Sequence, residues 1–285
     1  KVRAIPGPRE PVRVAIFNDL HDNHPLFAKL TGRIKGFDYD FSIFNGDCFA
    51  DPVSEEQFVS SLKTYNAGIR SWERPVVYQR GNHEYRGDTQ AVLDYATVSR
   101  RWVMPDRYYS MTEPVSDDAE MLLLFIDTSP LIDKYRGNPS KFPDAGAQSM
   151  DEQLAWIDAT LGSSDAAWKI VMGHHPVYAG TTKELRERSD LQKRLRPLLD
   201  SHGVDAEVSG HIHNFQHIRV PGSDVEYIVN TSASLTREVV PFEGALFASP
   251  DPGFTLCTVM ENELIITFVN DEGRIIYQYS RTKQP

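Results

Sequence analysis

The chain has 285 residues, 40% of them apolar and 25% charged, which is enough to bury a large core. Acidic residues outnumber basic ones by 40 to 30, so the basic surface of a duplex nucleic-acid binder is missing and no such partner is expected. Every apolar run is far shorter than the roughly 20 residues of a membrane span, which predicts no transmembrane segment. Two cysteines exclude a disulfide-rich scaffold.

Strands and helices alternate through most of the chain. Short β-branched runs predict strands, and apolar residues three or four apart predict helices. In order, the predicted elements are strand 12–17, helix 25–35, strand 40–44, helix 55–69, strands 75–79 and 121–126, helix 150–161, strand 168–172, helix 184–199 and strand 204–208. Pro197 is expected to kink or end the last helix.

The final part of the chain is rich in strands. These are predicted at 226–230, 253–260, 263–269 and 274–279, the last two joined by a hairpin turn. The whole pattern predicts an α/β sandwich with mixed sheets in a single domain over 12–281, after an extended lead-in at 1–11 and before a tail at 282–285. The irregular segment 129–148 is too long for a simple connection and is expected to line the functional site with 179–183.

Five predicted strands end in turns rich in glycine, aspartate, asparagine or histidine, and six of the nine histidines lie there. The turns are Asp19-x-His21, Gly46-Asp47, Gly81-Asn82-His83-Glu84, Gly173-His174-His175-Pro176 and Gly210-His211-x-His213. Because ligands collect at the carboxyl ends of strands in open α/β sheets, we expect the five turns to meet at one edge.

The residue types in these turns point to metal binding. Carboxylate and imidazole ligands suit zinc, manganese and iron. Asp47 can bridge two ions through its two oxygens, and Asn82 adds an oxygen ligand without negative charge. A single histidine in a loop is more often an ordinary polar group, but five such turns in order favour a metal site.

The five motifs resemble those of the calcineurin-like metallophosphoesterase superfamily. Within it, the stretches 153–157, 171–177, 195–199 and 210–214 are similar to the small purple acid phosphatases. This resemblance implies a four-layer βαβα sandwich of two mixed sheets flanked by helices, with two metal ions at its centre. It also implies a role for each motif residue. One ion is assigned to Asp19, His21 and His213, the other to Asn82, His174 and His211, with Asp47 bridging them and His83 as the general acid.

Two positions depart from the purple acid phosphatases. Those enzymes normally lack a histidine at the place of His21, and they carry a tyrosine at the place of Ala50. That tyrosine is an anionic ligand that favours trivalent iron and produces the colour. Its replacement by a neutral imidazole ligand predicts two divalent ions, manganese, iron or zinc, and a colourless protein.

The expected function is a dinuclear metal-dependent hydrolase of phosphoric esters, a phosphomonoesterase of small-molecule substrates with a metal-bridging hydroxide as nucleophile. Its resemblance to acid phosphatases and its start at Lys1 favour an exported or periplasmic protein. Two histidines next to the motifs, His24 and His175, either contact the substrate phosphate or make a hydrogen bond within their loops.

Two other functions stay open. A phosphodiesterase of the cyclic-nucleotide or phospholipid type is one, because a histidine at the place of His21 also occurs in diesterase branches. The other is a metal-binding scaffold without turnover, although such a scaffold has no evident use for His83.

Overall fold

The structure is a computed structural model that describes residues 11–49, 55–70, 73–99 and 101–283. Most of the lead-in predicted at 1–11 lies outside the described residues, and so do Ala50 and the last two residues of the predicted tail. The extent of the predicted single domain stays a prediction.

Strands and helices alternate along the first half of the described chain. The elements there are β1 (Val12–Phe17), α1 (His24–Ile34), β2 (Phe41–Asn45), α2 (Glu55–Ile69), β3 (Val76–Gln79), α3 (Thr89–Val98), β4 (Trp102–Val103), β5 (Tyr109–Pro114), β6 (Glu120–Phe125), α4 (Asp133–Arg136) and α5 (Met150–Gly162).

Two further helices precede a strand-rich end. The remaining elements are β7 (Trp168–Met172), α6 (Leu185–Arg194), α7 (Arg196–Ser201), β8 (Ala206–Ser209), β9 (Phe215–Ile218), β10 (Glu226–Val229), β11 (Ala245–Ser249), β12 (Gly253–Val259), β13 (Glu263–Asn270) and β14 (Ile275–Thr282).

The strands form two mixed sheets of seven strands each. The first has the order β14-β13-β12-β1-β2-β3-β4, and the second has the order β11-β9-β10-β8-β7-β6-β5. Strands β1 to β4 run parallel to one another, and β12 joins β1 antiparallel. In the second sheet, β6, β7, β8 and β10 are parallel to one another. The parallel strands therefore deliver their following loops to one edge of each sheet.

The two sheets pack face to face with helices outside. Met121 and Leu123 of β6 share a core with the first sheet, whereas Leu122 and Leu124 belong to a second core that includes residues of α5, α6 and α7. This alternation follows from the two-residue period of a strand. On the opposite side, residues of α1 and α2 pack against the first sheet. The four-layer sandwich inferred from the resemblance is therefore confirmed.

The bounds of the predicted elements hold closely, with one informative exception. The helix predicted over 184–199 is two helices, because α6 ends at Arg194 and α7 begins at Arg196. Pro197 lies in the first turn of α7, a position where its missing N–H has no helical partner to lose. Pro197 therefore helps to begin a helix, and the prediction of a break there is confirmed.

Several elements were not predicted, namely α3, β4, β5, β9 and β11. The irregular segment 129–148 contains the short α4, and it is anchored by Tyr135 and Phe142, which are buried in the core of the second sheet. Among the described residues, no helix combines the length and the apolar character that a membrane span needs.

Candidate metal centre

All five predicted turns lie at the carboxyl ends of strands and meet where the two sheets adjoin. The turns after β1, β2 and β3 carry Asp19, Asp47 and Asn82-His83. The turns after β7 and β8 supply His174 and the pair His211 and His213. The parallel order of these strands thus collects side chains that are nearly 200 residues apart in sequence.

One ligand cluster is centred on Asp19. Its Oδ1 lies 3.1 Å from Nε2 of His213 and 3.6 Å from Nε2 of His21. The rings of His21 and His213 stack at 5.3 Å between centroids. These three residues each offer a ligand atom within 4.8 Å of the others, which is the spacing of a metal-binding group.

Asp47 connects the Asp19 cluster to His174 and His83. Its Oδ2 lies 3.0 Å from Nε2 of His174 and 3.8 Å from Nε2 of His83. Nε2 of His174 is also 3.9 Å from Oδ1 of Asp19. Ligand atoms of Asp19, Asp47 and His174 lie within 4.8 Å of one another, so Asp47 lies between the two groups.

Several ligand atoms of the site are buried and have no hydrogen-bond partner in the described chain. They are Oδ1 of Asp19, Nε2 of His21, Oδ1 of Asn82, Nε2 of His174 and Nδ1 of His211. Buried polar atoms are normally paired, because an unpaired one costs about 1–3 kcal/mol. A set of unpaired nitrogen and oxygen atoms converging in this way fits divalent ions of borderline character.

The opposite ring nitrogen of each buried histidine ligand is held by a protein oxygen. Nδ1 of His174 pairs with the carbonyl of Asn45 at 2.9 Å, and Nδ1 of His213 pairs with that of Leu235, also at 2.9 Å. Nε2 of His211 contacts the Glu187 carboxylate at 3.0 Å. Such contacts fix the ring orientation and leave the other nitrogen for a metal.

Glu187 was not identified from the sequence. It lies in the first turn of α6, outside all five motifs, and besides His211 it accepts hydrogen bonds from Lys134 at 2.7 Å and Tyr135 at 2.9 Å. Only the packing of α6 against α4 brings it to the site, so no local signal in the sequence could have found it.

Glu84 ties two of the ligand turns together. Its buried carboxylate accepts backbone hydrogen bonds from Asp47 at 3.0 Å, Cys48 at 2.8 Å and Gly81 at 2.7 Å. Burial, and next the neighbouring charge of Asp47, raises the pKa of Glu84 above its ordinary value. This residue therefore fixes the Asp47 turn against the Asn82 turn.

Backbone strain concentrates at the ligands. Positive φ angles occur at Asp19 (51°), His21 (45°), Asp47 (53°), His211 (66°) and His213 (66°). Residues with a Cβ atom lose about 1–2 kcal/mol each in this conformation. Strain at so many ligands indicates that the site is shaped by function rather than by local stability.

Two of the glycines in the motifs permit close approach between turns. A Cβ atom on Gly81 would lie 2.2 Å from Oδ1 of Asp47, and one on Gly210 would lie 2.9 Å from Oδ2 of Asp19. No side chain fits at either place. The packing of the turns therefore requires glycine at position 81, before Asn82, and at position 210, before His211.

The electrostatics of the site couple carboxylates to imidazoles. Burial alone would raise the pKa of Asp19, but His213 and His174 lower it well below its ordinary value. Burial opposes protonation of His174, yet Asp47 and Asp19 raise its pKa to about 9. Burial, and then Lys183, lowers the pKa of His211 to about 3. Without a metal, His211 is thus a neutral imidazole and His174 is protonated, so metal binding at His174 has to displace a proton.

His83 stands at the mouth of the site, next to the ligands. Its backbone N–H donates to Oδ1 of Asp47 at 2.8 Å, and its Nδ1 lies 3.3 Å from a guanidinium nitrogen of Arg86. Its side chain is 22% exposed, in contrast to the buried His174. His83 can therefore meet a ligand that enters from solvent.

The two additional histidines lie away from the cavity wall. Both ring nitrogens of the buried His175 are engaged, with Thr128 at 2.7 Å and Tyr135 at 2.9 Å. His24 begins α1 and packs its ring 5.5 Å from that of Tyr65. Their contact with substrate stays a prediction.

A cavity of about 750 Å³ opens over the ligands. Segments 134–142 and 182–187 line its walls, close to the regions expected from the sequence. Five basic side chains also line it, and three of them lie in the segments 129–148 and 179–183 that were expected to line the site. The five are Arg86, Lys134, Lys141, Lys183 and Arg237.

The four-layer α/β fold and the ligand groups on either side of Asp47 are those of a metal-dependent hydrolase. The family model described as calcineurin-like phosphoesterase matches residues 12–215. The chain therefore belongs to the calcineurin-like phosphoesterase family and, with it, to the metal-dependent hydrolases of phosphoric esters.

Relatives of known identity are acid phosphatases. Purple acid phosphatase 3 of Arabidopsis thaliana is 30% identical over 270 residues, which cover 86% of this chain and 69% of the relative. Tartrate-resistant acid phosphatase type 5 of Rattus norvegicus is 27% identical over 274 residues, covering 90% of this chain and 82% of the relative.

Solved structures share the fold. GAP50, the anchor in the inner membrane complex of Plasmodium, has a TM-score of 0.80 at 22% identity, covering 96% of this chain and 90% of that one. Purple acid phosphatase PPD1 from yellow lupin seeds has a TM-score of 0.70 at 17% identity, covering 98% of this chain and 55% of that one. At these identities the likeness concerns architecture alone.

Proposed function

We propose that the chain is a phosphomonoesterase that uses two divalent metal ions. The observation that carries the proposal is the set of buried ligand atoms without partners on either side of Asp47. The family and the acid phosphatase relatives support the same reaction class. One ion would be held by Asp19, His21 and His213, the other by Asn82, His174 and His211, with Asp47 shared.

When bound, such a pair of ions supplies Lewis-acid polarisation of the phosphoryl oxygens and an acidified water as nucleophile. The protein's own contribution is electrostatic. Two divalent ions bring four positive charges, whereas Asp19 and Asp47 bring two negative ones. A chain of net charge −10 can in this way present a locally cationic site to a phosphate dianion.

His83 is proposed as the general acid. It faces the cavity beside the shared Asp47, and its Nε2 is 3.8 Å from that carboxylate. In this role His83 donates its proton to the leaving oxygen of the ester as the P–O bond breaks. A structural metal site would not need a partly exposed histidine at this place.

The metal content is proposed to be two divalent ions in a colourless protein. The support is His21, whose Nε2 lies 3.6 Å from Asp19 and offers a neutral ligand to the first ion. Elemental analysis combined with a visible spectrum of the loaded protein tests this. An absorption band from tyrosinate bound to iron would contradict it.

Export of the chain stays a prediction.

The activity test compares p-nitrophenyl phosphate with bis(p-nitrophenyl) phosphate. Metal-free protein is reconstituted in turn with manganese, zinc and ferrous iron, and both esters are assayed. The proposal predicts that the monoester is hydrolysed with the higher kcat/KM and that chelation abolishes the activity. Faster hydrolysis of the diester would instead favour a phosphodiesterase, and two bound metals without any hydrolysis would favour a scaffold.

A further inference from the structure

The basic side chains that line the cavity differ in how they are paired. Lys134 is neutralised by Glu187 at 2.7 Å and by Glu184 at 3.8 Å. In the described part of the chain, no carboxylate pairs with Lys183, Arg237 or Lys141. Unpaired cations on the wall of a cavity in an acidic protein are unexpected unless an anion binds there.

Lys183 and Arg237 are both attached to the ligand turn that follows β8. The Lys183 ammonium donates a hydrogen bond to the carbonyl of His211. The backbone N–H of Arg237 donates to the carbonyl of His213 at 2.9 Å. The two cations therefore flank the turn that supplies one ligand to each proposed metal ion.

Both side chains also line the cavity over the ligand turns. Lys183 is half-buried in the wall, and Arg237 is exposed at the rim. An anion placed between them would satisfy both donors.

We propose that Lys183 and Arg237 form a second anion subsite, which binds an oxyanion group of the substrate other than the phosphate being hydrolysed. This inference rests on the proposed phosphatase function, since it assigns the first phosphate to the metal centre. The substrate class is then a phosphate ester that carries a further phosphate or carboxylate group. Lys141 lines the same cavity and adds to its positive charge.

The test uses three non-hydrolysable probes with the same carbon chain length. They are propane-1,3-bisphosphonate, 3-phosphonopropionate and propylphosphonate, which offer a second phosphonate, a carboxylate and no second anion. Isothermal titration of the full chain loaded with manganese gives their dissociation constants. We expect the bisphosphonate to bind at least tenfold more tightly than propylphosphonate. If 3-phosphonopropionate also binds more tightly than propylphosphonate by a similar factor, the subsite accepts oxyanions in general. If 3-phosphonopropionate binds no more tightly than propylphosphonate, the subsite is specific for phosphate groups.

The variants are judged by the ratio of these dissociation constants, because a ratio cancels any effect on the metal centre. Lys183→Met combined with Arg237→Gln is expected to bring the ratio of propylphosphonate to bisphosphonate close to 1. Arg237→Gln alone, which keeps the backbone contact to His213, should lower it about threefold even if the double variant fails to fold. Lys193→Met, an exposed lysine of α6 outside the cavity, is the matched control and should leave the ratio unchanged.

Two results would overturn the subsite: a ratio near 1 in the unaltered chain, or an unchanged ratio in Arg237→Gln. The failure of the proposed function looks different. If the chain binds the bisphosphonate through Lys183 and Arg237 but hydrolyses no monoester, the subsite proposal stands and the proposed phosphatase function is wrong. If the chain hydrolyses monoesters but the ratio of dissociation constants is near 1, the phosphatase function stands and the subsite proposal is wrong.

Discussion

The described part of the chain contains two buried clusters of histidine and carboxylate that differ in how their polar atoms are paired. The Glu226 cluster lies where β9, β10 and β14 approach one another. Both ring nitrogens of His217 have partners there, Tyr277 at 2.9 Å and Glu226 at 2.8 Å. Glu226 also accepts from Arg219 at 2.5 Å and from Tyr279 at 2.8 Å, so both of its oxygens are engaged.

The candidate metal centre contains the same residue types, but several of their polar atoms make no hydrogen bond. Oδ1 of Asp19, Nε2 of His174 and Nδ1 of His211 make no hydrogen bond in the described chain, and Asp19 and His211 have positive φ angles. His217, Arg219 and Glu226 show no positive φ. Burial of histidine and carboxylate is thus common to a structural cluster and a functional one. What distinguishes the functional site is the combination of unpaired atoms and strain, which only a bound ligand can offset.

The largest effect expected is that of Asp47→Ala. The variant loses the carboxylate shared by both ligand groups, so its metal content should fall below one ion per chain. Its kcat/KM for p-nitrophenyl phosphate should decrease by at least ~10⁴-fold. Elemental analysis of the purified variant and an initial-rate assay check this. Retention of two metals in Asp47→Ala would show that the two groups do not share a ligand.

His83→Ala should separate metal binding from turnover. The side chain is proposed to donate a proton and not to bind metal, so two ions should remain while kcat falls about 10²–10⁴-fold. The loss should be smaller for p-nitrophenyl phosphate than for an alkyl phosphate, since its leaving group needs less protonation. An equal loss for both esters would argue against a general acid.

Glu187→Gln tests how the contact to His211 positions that ligand. Loss of the charged partner should weaken binding of one of the two ions by about 10–100-fold and leave the other unchanged. Calorimetric titration with manganese should therefore show two separated affinities. Glu184→Gln, at an exposed residue just before α6, is the control and should bind both ions as the unaltered chain does.

Glu226→Gln should affect stability and not activity. Burial opposes ionisation of Glu226, but hydrogen bonds from His217 and Arg219 lower its pKa to about 2, below the ordinary 4.5. A lowered pKa in the folded state stabilises the fold above pH 4.5, and this contribution is lost as the pH falls towards 2. We expect about 1–2 kcal/mol of destabilisation at pH 7.

The pH dependence makes this last prediction specific. The difference in unfolding free energy between the unaltered chain and Glu226→Gln should shrink between pH 5 and pH 3, as measured by urea denaturation. Glu272→Gln, at an exposed residue paired with Arg274, should change stability by less than about 0.5 kcal/mol at any pH. A difference for Glu226→Gln that stays constant down to pH 3 would mean that its ionisation is not coupled to folding.

The ligand turns could be predicted from the sequence because each follows directly on an apolar strand. The run at 12–17 and the polar residues Asp19 and His21 are separated by only a few positions, so strand and ligand are visible together. The architecture followed from the family resemblance, because the alternation of strands and helices predicts mixed sheets but neither their number nor the order of their strands.

The rest depends on contacts between distant segments. Strand β9 contains the polar pair Gln216 and His217, which obscures its pattern, and His217 is buried because Glu226 and Tyr277 pair with its two ring nitrogens. Glu187, Lys183 and Arg237 likewise reach the site through the packing of α6 and the loop after β10. None of them lies in a motif, and only Lys183 lies in a segment, 179–183, that was expected to line the site. The candidate metal ligands could therefore be named individually from the sequence, whereas the side chains of the cavity wall could not.

The most direct test of the account is the number of metal ions that the chain binds. Metal-free protein titrated calorimetrically with manganese should take up two ions per chain, as the two ligand groups joined through Asp47 require. Saturation at a single ion, or no uptake at all, would contradict the dinuclear centre.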